Sequence, residues 1–219
     1  TFEIEEAEEI VFDRKIPADR PGDAHDILGT FNIVADKNEM RSVPSSEAEL
    51  PQFLKRRHHI LMEGREDRHP GFFKTKINRA GNTIFVHPDD VAGTLEKGFA
   101  LYHSLDPGLQ RAVFIKYLIS EVHPFEEGNG RISRIMMNAE LTSEKLSTII
   151  IPTVYREDYL LALRALTRRS RPAPLVRMLL EAQAFSADVD FSDYMMALRT
   201  LIERNWFQEP DNGQIIFQQ

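Results

Sequence analysis

The chain has 219 residues, 42% of them hydrophobic, enough for one good core with a small appendage and too few for two independent enzymes. Its 27 Lys and Arg stand against 34 Asp and Glu, a formal net charge of -7, so general attraction to nucleic acid or to an anionic membrane is not indicated. Cysteine is absent, which excludes disulfides, thiolate nucleophiles and Cys-type zinc sites and favours a reducing, cytoplasmic setting; no stretch approaches the ~20 apolar residues of a membrane span. The first residues lack a signal pattern, and a start at Thr1 rather than Met points to a segment of a longer protein.

Residues 1–12, TFEIEEAEEIVF, read as a short acidic helix whose apolar contacts are Phe2, Ile4 and the cluster Ile10, Val11 and Phe12. A Pro/Gly-rich break from Ile16 to Gly22 follows, so residues 1–20 form an N-terminal helix and linker. Asp23–Met40 and Ser45–Met62 carry helical periodicity, the second capped by Ser45 or Ser46 and bearing the basic run Lys55–His59 as a solvated face. From Gly64 to Asp90 the texture changes: strand-like runs Phe72–Ile77 and Thr83–Val86 flank a Gly/Asn turn and predict a β-hairpin. Helices are expected over Asp89–Ser104 and Asp106–Val122, the latter nearly apolar and hence the buried centre of a bundle. Further helices are expected over residues 154–167, 175–185 and 191–205, after an extended link at Ser147–Pro152. A turn at Asp211–Gly213 suggests a small C-terminal hairpin within an extension, residues 206–219.

Chemistry concentrates in His123–Arg134, HPFEEGNGRISR, where a base, two acids, a glycine-rich turn and two arginines fall within twelve residues. Gly128, Asn129 and Gly130 permit a tight turn with bare N–H groups, and Ile132, Ile135, Met136 and Ala139 continue it as a helix. Such a loop, opening into a helix N-terminus, is an anion site. Arg131 and Arg134, three apart, project from one side of that helix, and Glu127 is a hard oxygen ligand suited to Mg²⁺. His123 is the one group in the stretch able to accept a proton near neutral pH. The remaining histidines, His25, His58, His59, His69, His87 and His103, lack metal-ligand spacing and read as surface or core residues, and Arg164, Arg168, Arg169 and Arg171 read as a helix-end charge cluster.

The stretch resembles the HPFx[DE]GNGRxxR signature of the Fic family, matching every fixed position. The resemblance implies an all-α, Fic-type helical bundle with a β-hairpin flap, covering residues 21–205. It implies a protein adenylyltransferase that moves AMP from ATP to a Ser, Thr or Tyr hydroxyl of a target protein. In that picture His123 and Arg134 are catalytic. Gly128, Asn129, Gly130, Arg131 and Arg134 bind the nucleotide, and Glu127 holds Mg²⁺. The flap, here Lys74, Thr83, Ile84 and Phe85, docks the target's backbone; Lys74 stands where the family often has Arg. The partners implied are ATP and the target protein, with no nucleic acid or membrane, and a homodimer is left open. Two enzymatic alternatives are a hydrolase that removes AMP from a modified protein and a transferase of another phosphate-containing group; a non-catalytic nucleotide-binding module is a third. Finally, Thr1-Phe-Glu-Ile-Glu5 resembles the [ST]xxxE[GN] element of Fic proteins with an inhibitory N-terminal helix, Glu6 replacing Gly or Asn. It implies that Glu5 pairs with Arg134 and denies ATP its clamp.

Overall fold

The structure, a computed structural model, describes residues 2–209 and divides into two compact units, Thr1–Glu144 and Lys145–Gln219. That boundary falls inside the span 21–205 expected to be one domain.

Seven helices and one hairpin make up the described part of the first unit: α1 (Ile4–Phe12), α2 (Pro21–Val34), α3 (Lys37–Arg41), α4 (Glu49–Leu61), β1 (Arg79–Ala80), β2 (Thr83–Ile84), α5 (Val91–Ser104), α6 (Leu109–Val122) and α7 (Asn129–Ser143). The centre is the pair α6 and α7, joined by the six residues 123–128. Ala112, Ile115, Ile119 and Val122 repeat at helical spacing on α6, and Ile132, Ile135, Met136 and Ala139 on α7; all eight are buried. Leu50, Leu54 and Leu61 of α4 and Val91, Leu95 and Phe99 of α5 complete one core with all of these but Ala112. Both ends of the His123–Gly128 loop are thereby anchored to the best-packed elements of the unit.

Three expectations are corrected by local chemistry. The long helix predicted over Asp23–Met40 breaks after α2 because the Asp36 carboxylate accepts from the N–H groups of Asn38 (2.8 Å) and Glu39 (3.1 Å) and so caps a new helix, α3. The basic run Lys55–His59 is not a uniformly solvated face: Arg57 and His58 are fully buried. Arg57 donates to the Glu39 carboxylate (2.7 Å) and to the carbonyls of Glu39 (2.5 Å) and Ser42 (2.7 Å), which meets the demand that a buried guanidinium be paired. The hairpin is shorter than predicted, with strands of two residues in the register Arg79↔Ile84 and Ala80↔Thr83 around Gly81 (φ 55°). The Phe72–Ile77 run does not pair with the second strand, since the Lys74 N–H donates to the Pro124 carbonyl (2.8 Å) instead.

The second unit contains α8 (Arg156–Arg169), α9 (Ala173–Asp188) and α10 (Tyr194–Glu203), close to the three helices expected. Val154, Phe185, Val189, Ala197 and Trp206 form its core, and Arg168 and Arg169 lie in the last turn of α8. The expected turn at Asp211–Gly213 lies outside the described residues. Among the described residues no helix is long and apolar enough to cross a membrane. The predominantly helical fold with one small antiparallel hairpin is the class expected.

Candidate active site

His123 ends α6 in the left-handed region (φ 51°), its N–H still bonded to the Ile119 carbonyl (2.9 Å). Its ring Nδ1 lies 3.1 Å from the Ser120 carbonyl. A carbonyl only accepts, so Nδ1 carries the proton and Nε2 is left with a lone pair, the tautomer required of a base. Phe85 of the hairpin stacks on the imidazole, centroids 3.7 Å apart and planes 10° from parallel. Burial lowers the basicity of His123 below the ordinary histidine value, the Ser120 contact partly opposes this, and the Lys74 ammonium adds to it. The ring is therefore neutral, and able to accept a proton, at neutral pH.

The loop after His123 is laced down residue by residue. Phe125 is buried between Phe73 (centroids 5.3 Å) and His58, whose ring stacks on it at 3.7 Å and 4°. Asn129 accepts from the Phe125 N–H (2.9 Å) through Oδ1 and donates through Nδ2 to the Phe125 carbonyl (2.8 Å). Asn129 is itself buried, so its amide closes the loop, where an orienting contact to phosphate was expected. From the flap side, Lys74 donates through Nζ to the Val122 carbonyl (3.2 Å) and to Asn78 Oδ1 (2.8 Å), and Asn78 donates to the Phe125 carbonyl (2.8 Å). Lys74 is 3% exposed, and burial lowers its ammonium to about 8. It is thus spent inside the base of the flap, while Phe85, half-buried, gives one ring face to His123. Ile84, 71% exposed, and Thr83 remain at the hairpin edge as expected.

Gly128 (φ 74°) caps α7 with its carbonyl accepting from the Ile132 N–H (2.9 Å). A Cβ there would lie 3.1 Å from Met62 Sδ and 3.3 Å from His58 Nε2, so both backbone angle and space call for glycine. A Cβ at Gly130 would lie 3.5 Å from an Arg134 guanidinium nitrogen, which shows that this side chain folds back over the turn. Arg131 and Arg134 together line a groove of about 540 Å³, whose other wall is Asp26, Ile27, Thr30 and Phe31 of α2. Arg131 stands 2.8 Å from Asp26 Oδ1, yet both atoms are buried without a hydrogen-bond partner. The pair is at ion-pair distance but misaligned, so it is a contact of charge that leaves the donors of this guanidinium nitrogen unspent. Asp26 is held from behind by Arg65 (2.9 Å), which also meets Asp23 (2.9 Å).

Glu127 is 3.2 Å from an Arg68 nitrogen and its side chain is 40% exposed at the rim of the turn. Among the described residues no group of three His, Cys, Asp or Glu could hold a metal ion alone. One rim carboxylate beside a phosphate turn fits a Mg²⁺ ion that takes its other ligands from water and phosphate. Glu5 is exposed on α1 and takes part in no ion pair among the described residues, so the pair with Arg134 implied by the sequence is not formed; Glu6 meets Arg20 instead (3.2 Å). Sequence reasoning missed His58, Asn78 and Asp26, which reach the site from far along the chain. The one available signal was the spacing of His58 within α4, which sets it on the buried side with Leu54 and Leu61.

Residues 49–141 match the Fic/DOC family. Protein adenylyltransferase fic-1 of Caenorhabditis elegans is 34% identical over 56 residues, 26% of this chain and 11% of that protein. Protein adenylyltransferase Fic of Drosophila mojavensis is 32% identical over 87 residues, 40% of this chain and 17% of that protein. The matched segments thus span less than a fifth of these curated relatives. Among solved structures, Fic-1 from C. elegans superposes with a TM-score of 0.69 at 19% identity, covering 91% of this chain and 59% of that one. A Fic family protein from Desulfovibrio desulfuricans gives 0.64 at 20% identity, covering 94% and 65%. At these identities the likeness establishes a shared fold.

Proposed function

Since the chain carries a Fic/DOC family domain over residues 49–141, we propose that it is a protein adenylyltransferase, moving AMP from ATP to a hydroxyl side chain of a target protein. The observation that carries this reading is the bare Nε2 of a neutral His123 at the start of the short loop whose other end is an anion-binding turn, followed by two arginines in the first turns of α7. The Gly128–Gly130 backbone and Arg131 and Arg134 hold the phosphates. His123 takes the hydroxyl proton as the oxygen attacks the α-phosphorus; a new P–O bond forms, the bond to the β-phosphate bridging oxygen breaks, and pyrophosphate leaves. Glu127 would hold Mg²⁺, which when bound neutralises charge on the phosphates. The hairpin edge at Thr83 and Ile84 aligns an extended target segment by strand addition.

His123→Ala is expected to abolish label transfer from ATP to protein while ATP affinity stays within about twofold, because proton removal and phosphate binding reside in different groups. Loss of ATP binding with the fold retained would contradict the assignment.

We further propose that α1 restrains this site. It packs against α2, whose Asp26, Ile27, Thr30 and Phe31 wall the arginine groove. Glu5→Gly puts a poor helix former in the exposed first turn of α1, leaves the buried Ile10 untouched, and by loosening the helix is expected to raise self-modification several-fold. An unchanged rate would leave α1 a packing element.

A further inference from the structure

His58 is fully buried, yet none of the chemistry above uses it. Its two ring nitrogens bind two separate pieces of backbone. Nδ1 accepts from the Gly71 N–H (3.0 Å), at the start of the segment that leads into the flap. Because Nδ1 accepts, the ring proton lies on Nε2, which donates to the Glu127 carbonyl (3.1 Å). The ring face lies flat on Phe125, and the only side of Gly128 that a Cβ could occupy is closed by His58 Nε2 and Met62.

A trans peptide is planar, with its C=O and N–H pointing in opposite directions. Drawing the Glu127 carbonyl inward to His58 therefore turns the Gly128 N–H outward, toward the mouth of the turn. The same bond fixes the backbone from which the Glu127 carboxylate projects. Gly128 is the residue whose left-handed conformation leaves this peptide plane with the most freedom to flip, so a directional bond at this point decides whether the turn presents a donor or a carbonyl oxygen to an anion.

We propose that His58 is a positioning residue of the nucleotide site: as an Nε2–H donor it locks the Glu127–Gly128 peptide in the anion-binding orientation, and through Gly71 it ties that peptide to the base of the flap. The inference rests on the reading of the turn as a phosphate site. It goes beyond that reading by assigning the orientation of the turn to a side chain on α4, 69 residues away in sequence.

The two nitrogens separate by substitution, since a glutamine amide reaches the place of Nε2 and an asparagine amide that of Nδ1. His58→Gln keeps a donor for Glu127, whereas His58→Asn keeps only an acceptor for Gly71. ATP affinity is measured with Mg²⁺ on wild type and both variants, alongside thermal unfolding. Asn is expected to weaken ATP binding by about tenfold, the effect of one hydrogen bond at its upper range, and Gln to rescue it to within about twofold, although both lower Tm. Affinities that fall equally, in step with Tm, or that do not fall at all would overturn the inference. Nitrogen NMR of the wild-type ring gives a second arm, independent of whether the variants fold. A proton on Nε2 whose resonance moves when ATP is added supports the proposal, and a proton on Nδ1, or a resonance indifferent to bound ATP, contradicts it. Wild-type protein that binds no ATP at all overturns the phosphate-site reading instead; the ring tautomer then still decides whether His58 is the donor.

Discussion

Asn129 sits in the middle of the glycine-rich turn, and its side-chain amide is consumed by both main-chain groups of Phe125. Asn129→Ala strands the Phe125 N–H, while the Phe125 carbonyl keeps its bond from Asn78, so a stability loss of about 1–3 kcal/mol is expected, read by urea unfolding. A loss under about 0.5 kcal/mol would mean that the loop is held elsewhere. His123 carries the pH dependence. Its basicity is lowered by burial first and by Lys74 in addition, and a general base works only when unprotonated, so the acid limb of the transfer rate is expected below the ordinary histidine range. Lys74→Met removes the nearby ammonium and should move that limb upward, as should the His123 ring titration followed by NMR. A limb that moves down, or stays, would remove Lys74 from the electrostatics of the base. The motif residues were legible in the sequence because their chemistry is local: base, turn and arginines fall within twelve residues. Lys74, Asn78 and His58 were not, because a hydrogen bond between residues some 45 to 70 apart leaves no trace in local spacing.

At the scale of elements, helices with a continuous apolar stripe, α5 and α6, emerged near their predicted bounds, and α7 follows the turn as expected, since the stripe alone dictates which face is buried. The α2–α3 break and the short hairpin did not. One depended on the Asp36 cap, the other on Lys74 bonding to the motif loop in preference to a strand. The hairpin that forms makes a sharper prediction than the one expected. In a two-residue-loop hairpin the pair next to the loop, Ala80 and Thr83, exchanges hydrogen bonds, and at the next pair, Arg79 and Ile84, the main-chain groups point away from the hairpin. Ile84→Pro therefore removes an outward N–H and spares the inner ladder. Modification of protein targets is expected to fall at least about tenfold while ATP affinity stays within about twofold. Equal losses in both would show that the substitution disturbed the site itself.

For the whole chain, composition allowed one good core with a small appendage and apolar periodicity gave its helices, and the predominantly helical fold agrees with the second of these. They carried no signal for the boundary after Glu144, which is set by which helices pack together rather than by a Pro/Gly-rich link. The polar groups of the active site reach inward from α2, α4, the flap and the α6–α7 loop, all within the first unit, and the residues that match the Fic/DOC family lie there too. The proposed chemistry moves an adenylyl moiety and not a terminal phosphate. The direct measurement is incubation of the chain and candidate protein targets with Mg²⁺ and ATP labelled either at the α-phosphate or at the γ-phosphate. Protein-bound label from the α-position alone, absent in His123→Ala, is the predicted result; label retained from the γ-position, or none from either in both wild type and Glu5→Gly, would contradict it.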